Sequence, residues 1–449
     1  MTSRHTDHVL TARNADEPAE FLARYPGYEL TRGLDRLRRT EYAYLDEQNH
    51  LYLDYAGSGL AASAQHRAHQ RRMQGILPGS PSTTAPAIDH ARHAVLRHLN
   101  ASPHEYTVVF TANASAAARL VGERYPFGRH GRLVLTSDNH ESVDGLRAFA
   151  KAGHSATTVI ATQRPDLRIS TSTVISALGR KRQDRRRGLF AYPAQSGFTG
   201  VQHPLGWIDI AHDRGYDVLL DAAAYLPTNS LDLSLVHPDF VTVSWYKVFG
   251  YPTGVGCLVV RRDALSRLSR KALEDSSLNF LSIPDVEVGL ALLADTGVEL
   301  ISRRVRYLTG WFLERLTTLR HGNGLPMARV YGPTTTSARG GIVSFNFLDP
   351  SGRVLDPALV ANEATSAGIS LRTGCFGNPG AGSNAAELCP KSLRALLKHG
   401  TADSLDVVGL PSGGTVRVSF GAPSAVRDVE RFIAFAERHF EDRFVGELV

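Results

Sequence analysis

The sequence predicts an α/β protein with a mainly parallel seven-stranded sheet, followed by a smaller C-terminal α+β domain. The sheet prediction depends on seven apolar runs between residues 107 and 262, which read TVVFTA, RLVLTSD, ATTVIA, GLFAYPA, YDVLLDAAA, FVTVSWYK and VGCLVVRR. Several are apolar through their centres, as strands are when helices cover both faces of a sheet. Helix-like segments such as ASAAARLVGERY and SVDGLRAFAKAG alternate with these runs, and this alternation is typical of a parallel sheet.

A second group of elements predicts the smaller domain. A long helical region at about 286–320 precedes three apolar runs, GIVSFNF, ISLRTG and TVRVSFG, and a closing helix, VRDVERFIAFAERHF. We therefore expect an N-terminal arm over residues 1–45, a large domain over residues 46–295 and a small domain over residues 296–449.

The composition of the 449 residues is that of an ordinary globular protein, with 43% hydrophobic and 21% charged residues. There is no run of eighteen apolar residues and no secretory signal at the start. The three cysteines, Cys257, Cys375 and Cys389, are too few for a disulfide framework. We therefore expect a cytoplasmic protein without a membrane partner.

The formal net charge of +6 raises the question of an acidic partner. The strongest basic run, GRKRQDRRRG at residues 179–188, has no interleaved aromatic residues and accompanies no nucleic-acid motif. We interpret it as a solvated loop and predict no nucleic-acid binding. The histidine pairs His66/His69 and His90/His93 have the spacing of helix positions without a third ligand, so no metal site is predicted.

Chemical groups follow four of the predicted strands, where an open α/β sheet binds its ligands. YDVLLD ends in Asp221, FVTVSWYK ends in Lys247, and RLVLTSDNH ends in His140. TVVFTANAS runs into a helix at Ala114 and Ser115. Each residue alone has an ordinary explanation as a helix cap or a surface side chain, but their combination is chemically specific.

Together these groups fit pyridoxal 5′-phosphate. Lysine forms a Schiff base with its aldehyde, and a carboxylate keeps the pyridine nitrogen protonated so that the ring accepts electrons. An imidazole stacks on the ring, and the N–H groups of a helix N-terminus bind the phosphate. Ser244, three residues before Lys247, offers a further hydrogen bond to the phosphate.

The chain resembles the class V, fold-type I pyridoxal-phosphate enzymes, the group of cysteine desulfurases and isopenicillin N epimerase-like proteins. Within this group it is similar to the N-terminal domain of molybdenum cofactor sulfurase. The matching blocks run from about residue 21 to 436 and read FLARYPGYE, YLDYAGSGL, TSDNHESV, LFAYPAQSGFTG, VLLDAAAYLPTNSLDLS, SWYKVFGYPTGVG, LRTGCFGNPGAG and VRVSFG. The resemblance implies the fold, the cofactor and a homodimer that acts on an amino acid.

The resemblance also implies roles for individual residues. The Schiff-base lysine is Lys247, the pyridinium partner is Asp221, and the stacking residue is His140. The phosphate ligands are Ala114, Ser115, Ser244 and Tyr246, with Thr253 approaching the phosphate of the neighbouring subunit. Arg417 pairs with the substrate α-carboxylate, a task that suits a bidentate guanidinium, and Arg372 assists it.

Three positions depart from the family pattern. Ala224 stands where many desulfurases have glutamine or histidine, and Gly197 stands where the pattern has asparagine. The resembling sulfurases read RTGCFCNPGAC where this chain reads RTGCFGNPGAG, so Gly377 replaces the cysteine that attacks sulfur. Cys375 lies two residues earlier, roughly 7 Å away in an extended loop, and we expect it to line the pocket rather than carry sulfur.

These departures favour C–S β-elimination from a cysteine S-conjugate, with the small residues at 197, 224 and 377 leaving room for a bulky substrate. Enzymes that process cysteine S-conjugates in lincosamide antibiotic assembly belong to this superfamily, so natural-product biosynthesis is the expected context. The alternatives are a decarboxylating oxidative deaminase of the same substrate class and a desulfurase or molybdenum cofactor sulfurase-like sulfur transferase. A non-catalytic scaffold is disfavoured because Lys247 and Asp221 are both present.

Overall fold

A computed structural model describes residues 18–75, 81–180, 187–268, 279–378, 380 and 414–445. The strands in this part of the chain are β1 (Leu51–Tyr52), β2 (Tyr106–Thr111), β3 (Arg132–Thr136), β4 (Ala156–Ile160), β5 (Gly188–Pro193), β6 (Tyr216–Asp221), β7 (Phe240–Ser244), β8 (Gly256–Arg261), β9 (Ala328–Tyr331), β10 (Ile342–Phe347), β11 (Ile369–Ser370), β12 (Arg372–Gly374) and β13 (Thr415–Ser419).

The α-helices of the same ranges are α1 (Ala19–Arg24), α2 (Gly33–Glu41), α3 (Ala43–Glu47), α4 (Ser63–Gly75), α5 (Pro81–His98), α6 (Ala114–Arg124), α7 (Glu141–Asp144), α8 (Leu146–Ala152), α9 (Thr171–Leu178), α10 (Trp207–Asp213), α11 (Trp245–Phe249), α12 (Arg262–Arg267), α13 (Asp285–Thr296), α14 (Val298–Thr318), α15 (Pro357–Ser366) and α16 (Val426–Phe440). A 3-10 helix covers Pro26–Thr31. None of these helices is both long and apolar enough to cross a membrane.

Seven strands form the large sheet in the order β2-β8-β7-β6-β5-β3-β4. The pairs β3–β4, β3–β5, β5–β6 and β6–β7 are parallel, whereas β8 runs antiparallel to both of its neighbours. The prediction of a mainly parallel seven-stranded sheet is therefore confirmed. All seven apolar runs form strands within a few residues of the predicted positions.

The sheet is covered on both faces because successive side chains of a strand point in opposite directions. In β5, Phe190 and Tyr192 pack into one core cluster, while Leu189 and Ala191 pack into another. All six residues of β5 and of β6 are buried. This explains why β5, and β6 between Asp217 and Asp221, are apolar instead of alternating with polar residues.

A four-stranded antiparallel sheet, ordered β12-β13-β10-β9, forms the core of the C-terminal part. It packs with α14, α16 and residues of the N-terminal segment, among them Phe21, Tyr28 and Leu34. The helical region predicted at about 286–320 is two helices, α13 and α14, because Gly297 between them has φ +86. Such a conformation ends a helix and suits glycine.

Parts of the sequence prediction lie outside the described residues. These are Cys389, the last glycine of the block LRTGCFGNPGAG (Gly382), residues 181–186 of the basic run and the first seventeen residues.

Candidate active site

Lys247 lies on a short helix rather than at the end of a strand, which corrects the prediction from the sequence. Strand β7 ends at Ser244, and α11 begins at Trp245 and contains the lysine. The lysine side chain is largely enclosed, and burial lowers the pKa of its amine while the negative charge of Asp221 raises it. Burial therefore favours the neutral amine, the form that attacks an aldehyde.

Asp221 is fixed at the carboxyl end of β6 with one oxygen left for a ligand. Its Oδ1 accepts hydrogen bonds from the Thr242 hydroxyl at 2.9 Å and from the Ala223 N–H at 3.1 Å. The residue is 8% exposed. Because both bonds go to Oδ1, Oδ2 is the oxygen that suits a protonated ring nitrogen.

His140 follows β3 and caps the start of α7. Its Nδ1 accepts a hydrogen bond from the Ser142 N–H at 3.2 Å and contacts the Ser142 hydroxyl at 2.8 Å. The neutral ring therefore carries its proton on Nε2. Burial lowers the pKa of His140, and the charges of Asp221 and Lys247 act on it in opposite directions. The structure thus places all three side chains within electrostatic reach of one another.

The predicted phosphate turn is formed by α6 and the end of β7. The Asn113 side chain caps the helix by accepting from the Ala116 N–H at 2.9 Å. The Ala114 N–H donates to the buried Ser244 hydroxyl at 2.9 Å, which fixes the hydroxyl beside the helix N-terminus. Ser115 is exposed on the first turn. Backbone donors at such a position favour an anion.

Of the four strands that carry these groups, β6 and β7 are neighbours, whereas β2 and β3 are each separated from this pair by one strand. Strand β8 lies between β2 and β7, and β5 lies between β6 and β3. The hydrogen bond between Ala114 and Ser244 nevertheless joins the chain after β2 to the end of β7. The loop after β5 also contributes Gln195, which donates to the Ala224 carbonyl at 2.7 Å. Tyr246 is half-buried beside the lysine, and Thr253 is exposed in the following loop.

Arg417, on β13, is almost fully buried at 4% exposure. One Nη donates to the Gly197 carbonyl at 2.9 Å, and the other contacts Asp54 Oδ1 at 3.1 Å. The guanidinium also lies over the Phe376 ring, 4.4 Å from its centroid. Both terminal nitrogens are therefore engaged, so bidentate pairing with a substrate carboxylate requires at least one of these contacts to be exchanged.

Residues 372–378 of the quoted loop, RTGCFGN, form a turn against His140. Gly377 has φ +66, and its carbonyl accepts from the Glu141 N–H at 2.6 Å. A Cβ built on Gly377 would lie 2.6 Å from His140 Nε2. Asn378 donates to the Asp138 carbonyl at 3.0 Å, which attaches the other side of the turn to the end of β3.

The expectation of open space at the small residues is wrong for position 377, whereas position 197 has one tight neighbour. The place of a side chain at 377 is taken by His140, and a Cβ at 197 would lie 3.2 Å from Asn378 Oδ1. Cys375 is half-buried, and burial raises the pKa of its thiol. It therefore holds less thiolate at neutral pH than a free cysteine does.

Two buried acids in this region were not identified from the sequence. Asp54 contacts both Arg417 and Arg372, although its motif YLDYAGSGL is recognisable in the sequence. Asp138 pairs with His203 at 2.8 Å, and both side chains are buried. Asp138 also lies in a quoted block, but the sequence carries no signal for its partner.

Comparison with known proteins identifies the class. Residues 45–432 match the family described as aminotransferase class V. The chain therefore belongs to the class V aminotransferase family, whose members include cysteine desulfurases that use pyridoxal 5′-phosphate. The half-buried Lys247, the unengaged oxygen of Asp221 and the hydroxyl of Ser244 at the α6 N-terminus fit this cofactor.

Among individual relatives, molybdenum cofactor sulfurase 2 of Culex quinquefasciatus is 34% identical over 86% of this chain and 56% of its own length. Molybdenum cofactor sulfurase of Arabidopsis thaliana is 32% identical over 92% of this chain and 59% of its own. The chain thus spans little more than half the length of these relatives. A cysteine desulfurase from Thermococcus onnurineus NA1 has the same fold, with a TM-score of 0.72, 21% identity and coverage of 90% of this chain and 97% of that one.

Proposed function

We propose that the protein is a C–S β-lyase that cleaves a cysteine S-conjugate in natural-product biosynthesis. The turn at Gly377 is the observation that carries this proposal. Its φ of +66 and its contact with His140 leave no place for a side chain where the resembling sulfurases have their sulfur acceptor. The thiol of Cys375 is a weak substitute because burial raises its pKa. We therefore expect the substrate sulfur to leave as a thiol that still carries its substituent.

The residues of this chain divide the reaction between them. Arg417 holds the substrate carboxylate, and bound pyridoxal phosphate supplies the electron sink next to Cα. Lys247 Nζ takes the proton from Cα, and the electron pair of the broken C–H bond forms the Cα–Cβ double bond as the C–S bond breaks. The thiolate leaves and takes up a proton. Water then converts the three-carbon fragment to pyruvate and ammonium, so that the conjugate and one water give thiol, pyruvate and ammonium.

Two other reactions remain alternatives at the same site. A decarboxylating oxidative deaminase would need the same carboxylate and amine contacts, with oxygen as the oxidant. A sulfur transferase is favoured by the relatives, which are called molybdenum cofactor sulfurases. That reaction needs a cysteine thiolate that attacks the substrate sulfur.

Product analysis distinguishes the three reactions. Cofactor-loaded protein is incubated with an S-alkyl cysteine, and the products are quantified by mass spectrometry. The proposal predicts equal amounts of alkyl thiol and pyruvate. Aldehyde and carbon dioxide with oxygen consumption would instead establish the oxidative reaction. Alanine together with an alkyl disulfide on the protein, or with a persulfide when free cysteine is the substrate, would establish sulfur transfer.

We further propose that the enzyme is a cytoplasmic homodimer acting on an amino acid. The exposed position of Thr253, in a loop that follows the Lys247 helix, supports this proposal. Light scattering of the loaded protein tests it. A dimer mass that falls in a Thr253→Arg variant, together with weaker cofactor binding, is expected, whereas a monomeric wild-type protein would contradict it.

A further inference from the structure

Two arginines lie directly opposite each other on adjacent strands of the small sheet. In the pairing of β12 with β13, Arg372 is the cross-strand partner of Arg417. Like charges at directly opposite positions destabilise a sheet. Arg417 is buried, with 5% of its side chain exposed, while 51% of the Arg372 side chain is exposed. The buried guanidinium therefore needs compensation from a nearby anion.

Asp54 supplies this anion by bridging the pair. Its Oδ1 contacts Arg417 at 3.1 Å, and its Oδ2 accepts from Arg372 Nε at 2.8 Å and lies 2.7 Å from Nη2. The carboxylate is 9% exposed. We call the unit of Asp54, Arg372 and Arg417 the carboxylate clasp. Two positive charges and one negative charge leave the clasp with a single net positive charge.

The YLDYAGSGL motif explains how the clasp is built. A parallel bridge pairs Asp54 with Ser419, two residues beyond Arg417 on β13, and the Leu53 N–H bonds to the Ser370 carbonyl at 2.8 Å. A Cβ on Gly57 would collide with both Asp54 Oδ2 and the Arg372 guanidinium. The motif therefore places one carboxylate between the two arginines and keeps the adjacent position free of a side chain.

We propose that Asp54 is a specificity-determining residue that limits the site to one substrate carboxylate. This inference rests on the proposed role of Arg417 in substrate binding. Because Asp54 pairs with Arg372 as well as with Arg417, the clasp keeps one net positive charge. This charge matches the single α-carboxylate of an amino acid whose side chain is neutral. A substrate with a second carboxylate beside the first would have to displace Asp54. The clasp thus excludes amino dicarboxylates and close dicarboxylate analogues.

The test compares the binding of propionate and succinate to the cofactor-loaded protein by calorimetry. In Asp54→Asn, the bridging negative charge is lost, so both guanidinium charges are left for the ligand, although Arg417 still donates to the Gly197 carbonyl. The affinity ratio of succinate to propionate should therefore rise by about tenfold, on the order of one charge-assisted hydrogen-bonded pair. The double variant Asp54→Asn/Arg372→Gln removes the second cation and should abolish this rise.

Asp46 provides a matched control because it also bridges two arginines, Arg38 and Arg427, away from the site. Asp46→Asn should leave the ratio unchanged. If Asp54→Asn does not fold, Asp54→Ser removes the same charge with a smaller side chain and should also raise the ratio of succinate to propionate affinity.

The outcomes separate this inference from the function on which it rests. Wild-type protein that binds neither probe would contradict the role of Arg417 in carboxylate binding. Probe binding in the wild type with an unchanged ratio in Asp54→Asn, or a rise that persists in the double variant, would overturn the clasp alone.

Discussion

Lys247 shows how one residue obtains its chemistry from its surroundings. The sequence places a lysine after an apolar strand, which alone is consistent with an exposed side chain. Burial lowers the pKa of its amine, and Asp221 limits that effect. The adjacent backbone is fixed as well, because a Cβ on Gly59 would lie 3.0 Å from the Lys247 carbonyl. This packing holds Lys247 beside the carboxyl end of β7.

Covalent labelling tests the assignment of Lys247. Borohydride reduction of the loaded protein should fix the cofactor on this lysine, because its amine is the nucleophile that reacts with the aldehyde. Peptide mapping should find no label in Lys247→Ala, while the exposed α8 variant Lys151→Ala should be labelled like the wild type. A label on any other lysine would show that the assignment is wrong.

Cys375 should react slowly with iodoacetamide at neutral pH. Burial raises the pKa of the thiol, so the reactive thiolate appears only as the pH rises above the usual value of about 8.5 for a free cysteine. Rates measured from pH 7 to 10 by peptide mapping should give a midpoint above that of free cysteine. Cys257, which is fully buried, serves as the unreactive reference. A midpoint at or below that of free cysteine would restore Cys375 as a candidate sulfur acceptor.

At the scale of elements, the sequence is most informative where the burial pattern is local. The inner strands of the large sheet, such as β5 and β6, could be predicted because continuous apolar runs arise from burial on both faces. The edge strand β4 is exposed at four of its five residues, so this reason does not apply to it. The short helix that carries Lys247 was missed because five residues contain too little periodicity to distinguish a helix from a strand end. The break at Gly297 was missed because glycine within a helical pattern is also compatible with a continuous helix.

The turn at Gly377 is the element on which the proposed reaction depends most. Gly377→Ala adds a Cβ at 2.6 Å from His140 Nε2 in a backbone conformation that disfavours any side chain. We expect loss of about 2–3 kcal/mol of unfolding free energy and at least tenfold lower turnover, since strain and steric displacement act together. Urea unfolding and initial rates measure the two effects.

Gly352→Ala is the matched control for the strain. Gly352 has φ +81, and a Cβ there would meet no atom within 4 Å. It should lose only about 1 kcal/mol, the cost of the backbone conformation, and keep its turnover. Equal losses of unfolding free energy in the two variants, with turnover unchanged, would mean that Gly377 is needed only for its backbone conformation.

At the scale of the whole molecule, the site depends on contacts between distant parts of the chain. The contact between Asp54 and Arg417 joins residues 363 positions apart. The N-terminal segment, which the sequence suggests is a separate arm, contributes Phe21 and Tyr28 to the core around the small sheet. Neither the Asp54–Arg417 contact nor the packing of Phe21 and Tyr28 can be predicted from a local sequence pattern. The individual site residues could be proposed from strand ends and resemblance, whereas their partners required the folded chain.

The central claim is that the substrate sulfur leaves as a thiol and is not transferred to the protein. The mass of the intact protein after turnover tests this claim most directly. The wild type and Cys375→Ser are each incubated with an S-alkyl cysteine and with free cysteine, then measured without reductant. We predict that neither protein gains the mass of a sulfur atom and that both release thiol and pyruvate from the conjugate at similar rates. A sulfur adduct on the wild type that disappears in Cys375→Ser, with alanine as the product, would contradict the β-lyase proposal.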